Sequence, residues 1–229
     1  MTRRNKLEKF VELLSFPNVY ESPDFHNPSL IGLHGEPVEL KGKWNSQHFK
    51  NNNPIVLELA CGRGEYTLAL AQMFPEKNFI GLDIKGARIH QGAEIALERQ
   101  IENAAFLRTK IELIEHFFSE AEIHEIWITF PDPFLKESKS NKRLTSPLFL
   151  DKYRKILDKD SIIHLKTDDQ KLYDYTLEII NMDAKAKLLY HDQDIYNSAL
   201  PIEELGINTY YEIKHLGENK TIKYIKFSC

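Results

Sequence analysis

The sequence predicts an α/β fold: a doubly wound, mostly parallel, Rossmann-like sheet closed by an antiparallel C-terminal hairpin. Three observations carry this. Ile55 to Leu59 is a short apolar, partly β-branched run that enters a turn holding Gly62 and Gly64. A helix-compatible stretch with Leu68, Ala69, Ala71 and Met73 follows, which is the strand–turn–helix order of a nucleotide-type site. From Pro54 onward such apolar runs alternate with amphipathic ones, and the last segments turn strand-like without helices between them.

In chain order, residues 2–16 predict an amphipathic helix. Leu7, Phe10, Val11 and Leu14 share one face, with Arg3, Arg4, Lys6 and Lys9 outside it. Residues 18–53 hold Pro23, Pro28, Gly32, Gly35, Pro37 and Gly42 and read as an irregular extension. Residues 1–53 are thus expected to form a helix and extension packed on a main domain of residues 54–229. Lys41, Lys43, Trp44 and His48 read first as a solvated loop anchored by Trp44, and second as a polyanion contact. Strands are expected at Ile55–Leu59, Asn78–Leu82, Ala105–Arg108, Glu125–Phe130 and Ser161–Lys166. Helices are expected at Lys85–Arg99, at Ile111–Phe118, from Ser146-Pro147 through Leu157, and at Asp169–Met182. Ala186–Tyr190, Thr209–Lys214 and Thr221–Phe227 read as strands, the last two joined through Gly217-Glu-Asn219 as the hairpin.

Composition narrows the classes. The 229 residues are 42% hydrophobic and 28% charged, enough for one sizeable core. No apolar run reaches the roughly 18 residues of a membrane span, and no secretory leader follows the basic start. Two cysteines, Cys61 and Cys229, lack metal-type spacing and fit a reducing cytoplasm. The net charge of −4 means that any nucleic-acid contact must come from a local basic patch.

Two constellations carry chemistry. The first is Glu58-x-Ala60-x-Gly62-x-Gly64 with Asp83 ending the next strand. A dinucleotide site wants a third glycine and a turn free of negative charge, because a pyrophosphate rests on the helix start. Here Glu58 stands beside the turn, which suits a cationic ligand, while Asp83 is placed for a ribose diol. An adenosine-containing cation such as S-adenosyl-L-methionine meets both conditions. The second constellation is Thr129-Phe-Pro-Asp-Pro-Phe-Leu-Lys136 and the run through Arg143. It brings Asp132 to the mouth of the same crevice, with prolines on both sides restricting its backbone. Lys136, Lys139, Lys142 and Arg143 form the densest basic run in the chain, suited to positioning RNA through phosphates.

Phe130-Pro-Asp-Pro-Phe, Lys136 and Asn141-Lys-Arg143 resemble the signature of the bacterial tRNA (guanine-N7-)-methyltransferase family. Thr167-Asp168 and Thr209-Tyr-Tyr-Glu212 match that family's later motifs in order and spacing, so the similarity runs from about Pro54 to Phe227. The resemblance implies a class I methyltransferase fold, S-adenosyl-L-methionine as cofactor, and methylation of N7 of the variable-loop guanosine 46 of tRNA. By matching positions it implies Glu58, Gly62, Gly64, Asp83 and Lys110 on the cofactor side, and Asp132 as the catalytic residue where cofactor and substrate meet. On the substrate side it implies Lys136, Ser138, Lys139, Asn141, Lys142, Arg143, Asp168, Thr209, Tyr210, Tyr211 and Glu212. Asp168 and Glu212 are expected to accept from the guanine N1–H and amino group.

The chain departs from the family at Lys110, where an acidic residue is usual, at Phe134 for tryptophan, at Lys166 before Thr167, and at Ala60 for the first turn glycine. A cytoplasmic enzyme, monomer or homodimer, without a metal, is expected. The competing readings are a methyltransferase for a small molecule or protein, a non-catalytic scaffold that binds cofactor or RNA, and a nicotinamide-linked oxidoreductase. The last lacks both the third glycine and a placed His or Tyr for hydride transfer.

Overall fold

The computed structural model describes residues 6–229. Its centre is a ten-stranded sheet in the order β3-β2-β1-β6-β5-β4-β7-β8-β10-β9. The strands are β1 (Val19–Glu21), β2 (Leu30–Ile31), β3 (Pro37–Val38), β4 (Ile55–Leu59), β5 (Asn78–Asp83), β6 (Ala104–Arg108), β7 (Ile123–Thr129), β8 (Leu157–Thr167), β9 (Lys187–Asp192) and β10 (Lys223–Ser228). The helices are α1 (Lys6–Leu13), α2 (Glu65–Met73), α3 (Gly86–Glu98), α4 (Pro147–Tyr153), α5 (Gln170–Met182) and α6 (Tyr210–Gly217). Strands from β1 across to β8 run parallel, while β8/β10, β10/β9, β1/β2 and β2/β3 are antiparallel.

The central strands are apolar at almost every position because both faces are covered. In β4, Leu57 and Leu59 face one core with Phe149 and Leu150 of α4 and Leu172 and Tyr173 of α5. Val56 faces the other, with Tyr66 and Leu70 of α2 and Ile89 and Ala93 of α3. From β4 the chain passes to β5 and β6 on one side, then returns to β7 on the other. That reversal opens a crevice at the carboxyl ends of β4 and β7, where open α/β sheets bind ligands.

Five sequence expectations need correction. Thr209–Lys214 is not a strand but the start of α6, because Thr209 caps it: its hydroxyl oxygen accepts from the Glu212 N–H at 3.2 Å. Gly217-Glu-Asn219 therefore closes that helix, and the antiparallel partner of β10 is β9. Ile111–His116 is a 3-10 turn, too short for the expected α-helix. The helix from Pro147 ends at Tyr153, and β8 begins at Leu157, four residues before the expected start. The stretch read as irregular also contributes to the sheet, since Val19–Glu21 pairs in parallel with Phe106–Arg108.

Helix α1 spans Lys6–Leu13, and the expected positions 2–5 lie outside the described residues. Trp44 does anchor its segment: it is fully buried, stacks on Phe118 at 5.5 Å and donates from its indole N–H to the Phe117 carbonyl at 2.9 Å. Among the described residues no helix is long and apolar enough to cross a membrane.

Candidate active site

The crevice at the switch point has a volume of about 700 Å3 and is lined from the carboxyl ends of β4, β5 and β7, from the residues that follow β6 and β8, and from α6. At one end the β4–α2 turn runs through Ala60, Gly62 and Gly64, all at positive φ (59°, 57° and 70°). Gly64 is needed for packing, since a Cβ there would lie 2.5 Å from the Phe106 ring. It does not line the crevice, and its lack of a side chain lets α2 approach the sheet. Gly62 is different. A Cβ there would meet nothing nearer than 4.0 Å, and the residue borders the crevice. Asp83 fixes this turn, accepting from the Gly62 N–H at 2.9 Å and the Lys85 N–H at 2.8 Å.

Glu58 is buried at the floor of the crevice. It accepts from the Thr67 N–H at 2.8 Å, from the Thr67 hydroxyl, and from the Thr129 hydroxyl at 2.7 Å. Burial pushes its carboxyl up to about 7, and the nearby Asp83 adds to this, although the threonine hydrogen bonds pull the other way. Nearby, Thr109 borders the crevice with a buried hydroxyl that has no partner among the described residues. Ile84 and Ile111 supply apolar lining. Lys110 lines the same end, but its ammonium lies 4.2 Å from the centre of the Phe25 ring.

These residues fit S-adenosyl-L-methionine. Two carboxylates suit a cationic ligand, an unsatisfied hydroxyl and apolar walls suit an adenosine, and a pyrophosphate would be repelled.

At the other end, β7 runs into the Pro131-Asp-Pro133 loop. Phe130 and Phe134 flank it at φ 47° and 44°, a costly backbone state for bulky residues and one that gathers at functional sites. Asp132 lines the crevice, is exposed, and makes no hydrogen bond or ion pair among the described residues. The loop is held from behind. Arg143, expected to touch RNA, is only 4% exposed and donates to the carbonyls of Pro133 (3.3 Å) and Phe134 (3.2 and 3.3 Å), with its guanidinium over Tyr175 at 4.2 Å. Its role is to clamp the loop. Lys136, Ser138, Lys139, Asn141 and Lys142 are exposed around the 3-10 segment Glu137–Lys142, and of these Lys142 reaches the crevice.

The third wall comes from the end of β8 and from α6. Asp168 lines it, 3.0 Å from Lys220 Nζ and 3.4 Å from His215 Nδ1. Thr209, Tyr211, Lys214 and His215 join it, with Tyr211 beneath the Arg88 guanidinium at 5.9 Å. Tyr210 points outward under Arg63 at 4.8 Å, and its N–H donates to Glu65 at 2.9 Å. Glu212 does not face the crevice. It is fully buried and paired with Lys166 at 2.8 Å, so the expected hydrogen bond from a guanine is corrected. Thr67, His215 and Lys220 join the site without having been expected there, and Thr129, which opens the second constellation, joins it as a donor to Glu58. Thr67 gives no motif of its own, and His215 and Lys220 are hidden when their segment is read as a hairpin.

Comparison with known proteins places this geometry in a family. A family model described as "Putative methyltransferase" matches residues 52–225. The tRNA (guanine-N(7)-)-methyltransferase of Bacteroides fragilis is 49% identical over 98% of this chain and 85% of its own length. The protein of that name from Christiangramia forsetii is 48% identical over 99% of both chains. Among solved structures, the 16S rRNA methyltransferase KamB superposes with a TM-score of 0.59 at 13% identity, over 83% of this chain and 94% of that one. TrmN from Thermus thermophilus gives 0.55 at 16%, over 82% and 47%. At such identities the likeness speaks for the fold alone, a class I methyltransferase. With near-half identity over almost its whole length, the chain belongs to the tRNA (guanine-N(7)-)-methyltransferase family.

Proposed function

We propose that this chain methylates N7 of guanosine in tRNA, with the variable-loop guanosine 46 as its target, and works in the cytoplasm. The observation that carries the reading is one crevice with two unlike carboxylate ends: Glu58 and Asp83 buried and hydrogen-bonded at one, Asp132 exposed and unpaired at the other. When bound, S-adenosyl-L-methionine supplies an electrophilic methyl group on a cationic sulfur. Glu58, Asp83, Gly62 and Thr109 would hold it.

Guanine N7 has a free lone pair at neutral pH, so no base has to remove a proton before attack. The task left to the protein is alignment. As N7 becomes bonded, the purine gains positive charge, and Asp132 at the open end stabilises it. Asp168 accepts from the guanine N–H groups, its orientation held by Lys220 and His215. Lys136, Lys139 and Lys142, with Ser138 and Asn141, meet phosphates and fix the register of the RNA. In a regular RNA helix N7 lies in a deep, narrow groove that side chains do not enter, which favours a loop guanosine as target.

The test is transfer of labelled methyl to unmodified tRNA transcripts, with cleavage mapping at N7-methylguanosine. Incorporation at guanosine 46 is expected; incorporation elsewhere overturns the position, and none at all overturns the reading.

A further inference from the structure

We infer that Lys166 and Glu212 act as a positioning pair that sets the guanine-side wall of the crevice, neither of them touching the RNA. This rests on the tRNA-methylating reading above. Both side chains are fully buried and 2.8 Å apart. Lys166 donates to Glu212, to the Leu205 carbonyl at 2.8 Å and to the Ile207 carbonyl at 3.1 Å, which uses all three of its protons. The Tyr196 hydroxyl donates to Glu212 at 2.7 Å. One ammonium thus fastens the end of β8 to the loop before α6 and to α6 itself.

The placement of the pair gives it leverage. Lys166 lies near the end of β8, two residues before Asp168, while Glu212 sits among Thr209, Tyr211 and His215 at the start of α6, and Asp168, Thr209, Tyr211 and His215 line the crevice. Asp168 is itself tied to His215 of α6 and to Lys220 just beyond it, but at a half-exposed edge that water can reach. Breaking the buried pair leaves an uncompensated charge in a dry site, and α6 must move to hydrate it. Glu212 therefore governs how Asp168 and His215 meet the base, although it has no access to the base itself.

The test compares Lys166→Met, Glu212→Gln and the double variant in the full-length protein. Turnover on tRNA is expected to fall at least about tenfold in each single variant and no further in the double. S-adenosyl-L-methionine affinity, read by calorimetry, stays near the parent's. The preference for guanosine over inosine at the target falls to a similar extent in Lys166→Met and Glu212→Gln, because both variants reach the amino group only through Asp168. Hydrogen exchange of the α6 amides speeds up in both single variants, a readout that needs no RNA. Additive losses, a guanosine preference lost in Glu212→Gln but kept in Lys166→Met, or an α6 as protected in Lys166→Met as in the parent would each overturn the pair. If the charge variants do not fold, Glu212→Asp, which keeps the charge and draws the carboxylate back from Lys166, decides: faster α6 exchange supports the pair, and unchanged exchange overturns it. Failure of the unaltered protein to methylate tRNA would instead count against the function.

Discussion

The two ends of the crevice hold their carboxylates by opposite means. Glu58 and Asp83 are fixed by hydrogen bonds to the groups themselves: Thr67 and Thr129 hold one, the backbone of Gly62 and Lys85 the other. Asp132 has no such partner, and its position comes from backbone alone, through two prolines, two phenylalanines at positive φ, and Arg143 pulling on the loop carbonyls. On the proposed function, a small cationic cofactor can be enclosed, so its end can be buried and saturated, whereas a folded RNA has to reach the other end from solvent, so that carboxylate must be rigid yet open. Side-chain hydrogen bonds suit the first need and backbone restraint the second.

The comparison breaks most visibly at Asp132. Asp132→Ala is expected to lower methyl transfer to tRNA by about 100- to 1,000-fold, the usual loss on removing a preorganised electrostatic partner. Cofactor affinity, measured by calorimetry, should change far less than turnover. Equal losses in both would mean that the two ends are not separate.

Arg143 tests the claim that backbone restraint places Asp132. Arg143→Ala removes a buried charge-assisted clamp and should cost about 2–3 kcal/mol of stability, seen as a lowered Tm. Turnover should fall about tenfold or more while the salt dependence of tRNA binding stays as in the parent. A reduced salt dependence would mean that Arg143 meets phosphate after all.

How much of this was legible follows the range of the interactions. The β4 turn, Glu58, Asp83 and the Pro-Asp-Pro loop could be read because glycine, proline and strand-end positions act locally. Arg143 could not be placed, because its partners are backbone carbonyls, which leave no trace in the sequence. Strand β1 escaped for a related reason: three residues find their pairing at Phe106–Arg108, far along the chain. Tyr210-Tyr-Glu-Ile has strand-forming composition, yet a single cap from Thr209 turns it into a helix, and Lys166 then ties that helix to the sheet.

At the cofactor end, pH sharpens the contrast. Burial raises the Glu58 carboxyl from its ordinary 4.5 to about 7. Between those values the folded protein holds a proton that the unfolded chain releases, so this contribution to stability is present below 4.5 and lost as pH rises through 7. It amounts to about 3 kcal/mol at most. Glu58→Gln should therefore flatten the fall in Tm between about pH 5 and about pH 7.5. Cofactor binding carries the opposite sign, since a cation favours the ionised carboxylate. Affinity should rise with pH and level off above about 7, and the glutamine substitution should abolish the trend. An unchanged pH profile for both Tm and affinity would show that Glu58 is not the group that titrates.

The smallest effects belong to the exposed lysines, and their pattern matters more than their size. Lys136, Lys139 and Lys142 lie on solvent-exposed backbone beside Asp132, and each is proposed to meet a phosphate without reading a base. Changing any one to alanine should weaken tRNA binding a few-fold at moderate salt and lower the slope of log affinity against log salt by about 0.7 to 0.9. The maximal rate at saturating tRNA should stay near the parent's, because no charge develops on phosphate during the reaction. Lys142 is the informative case, since it also lines the crevice. If its alanine variant lowers the maximal rate as well as affinity, the basic run enters the chemistry, and the boundary between positioning and catalysis lies at Lys142 and not at Asp132.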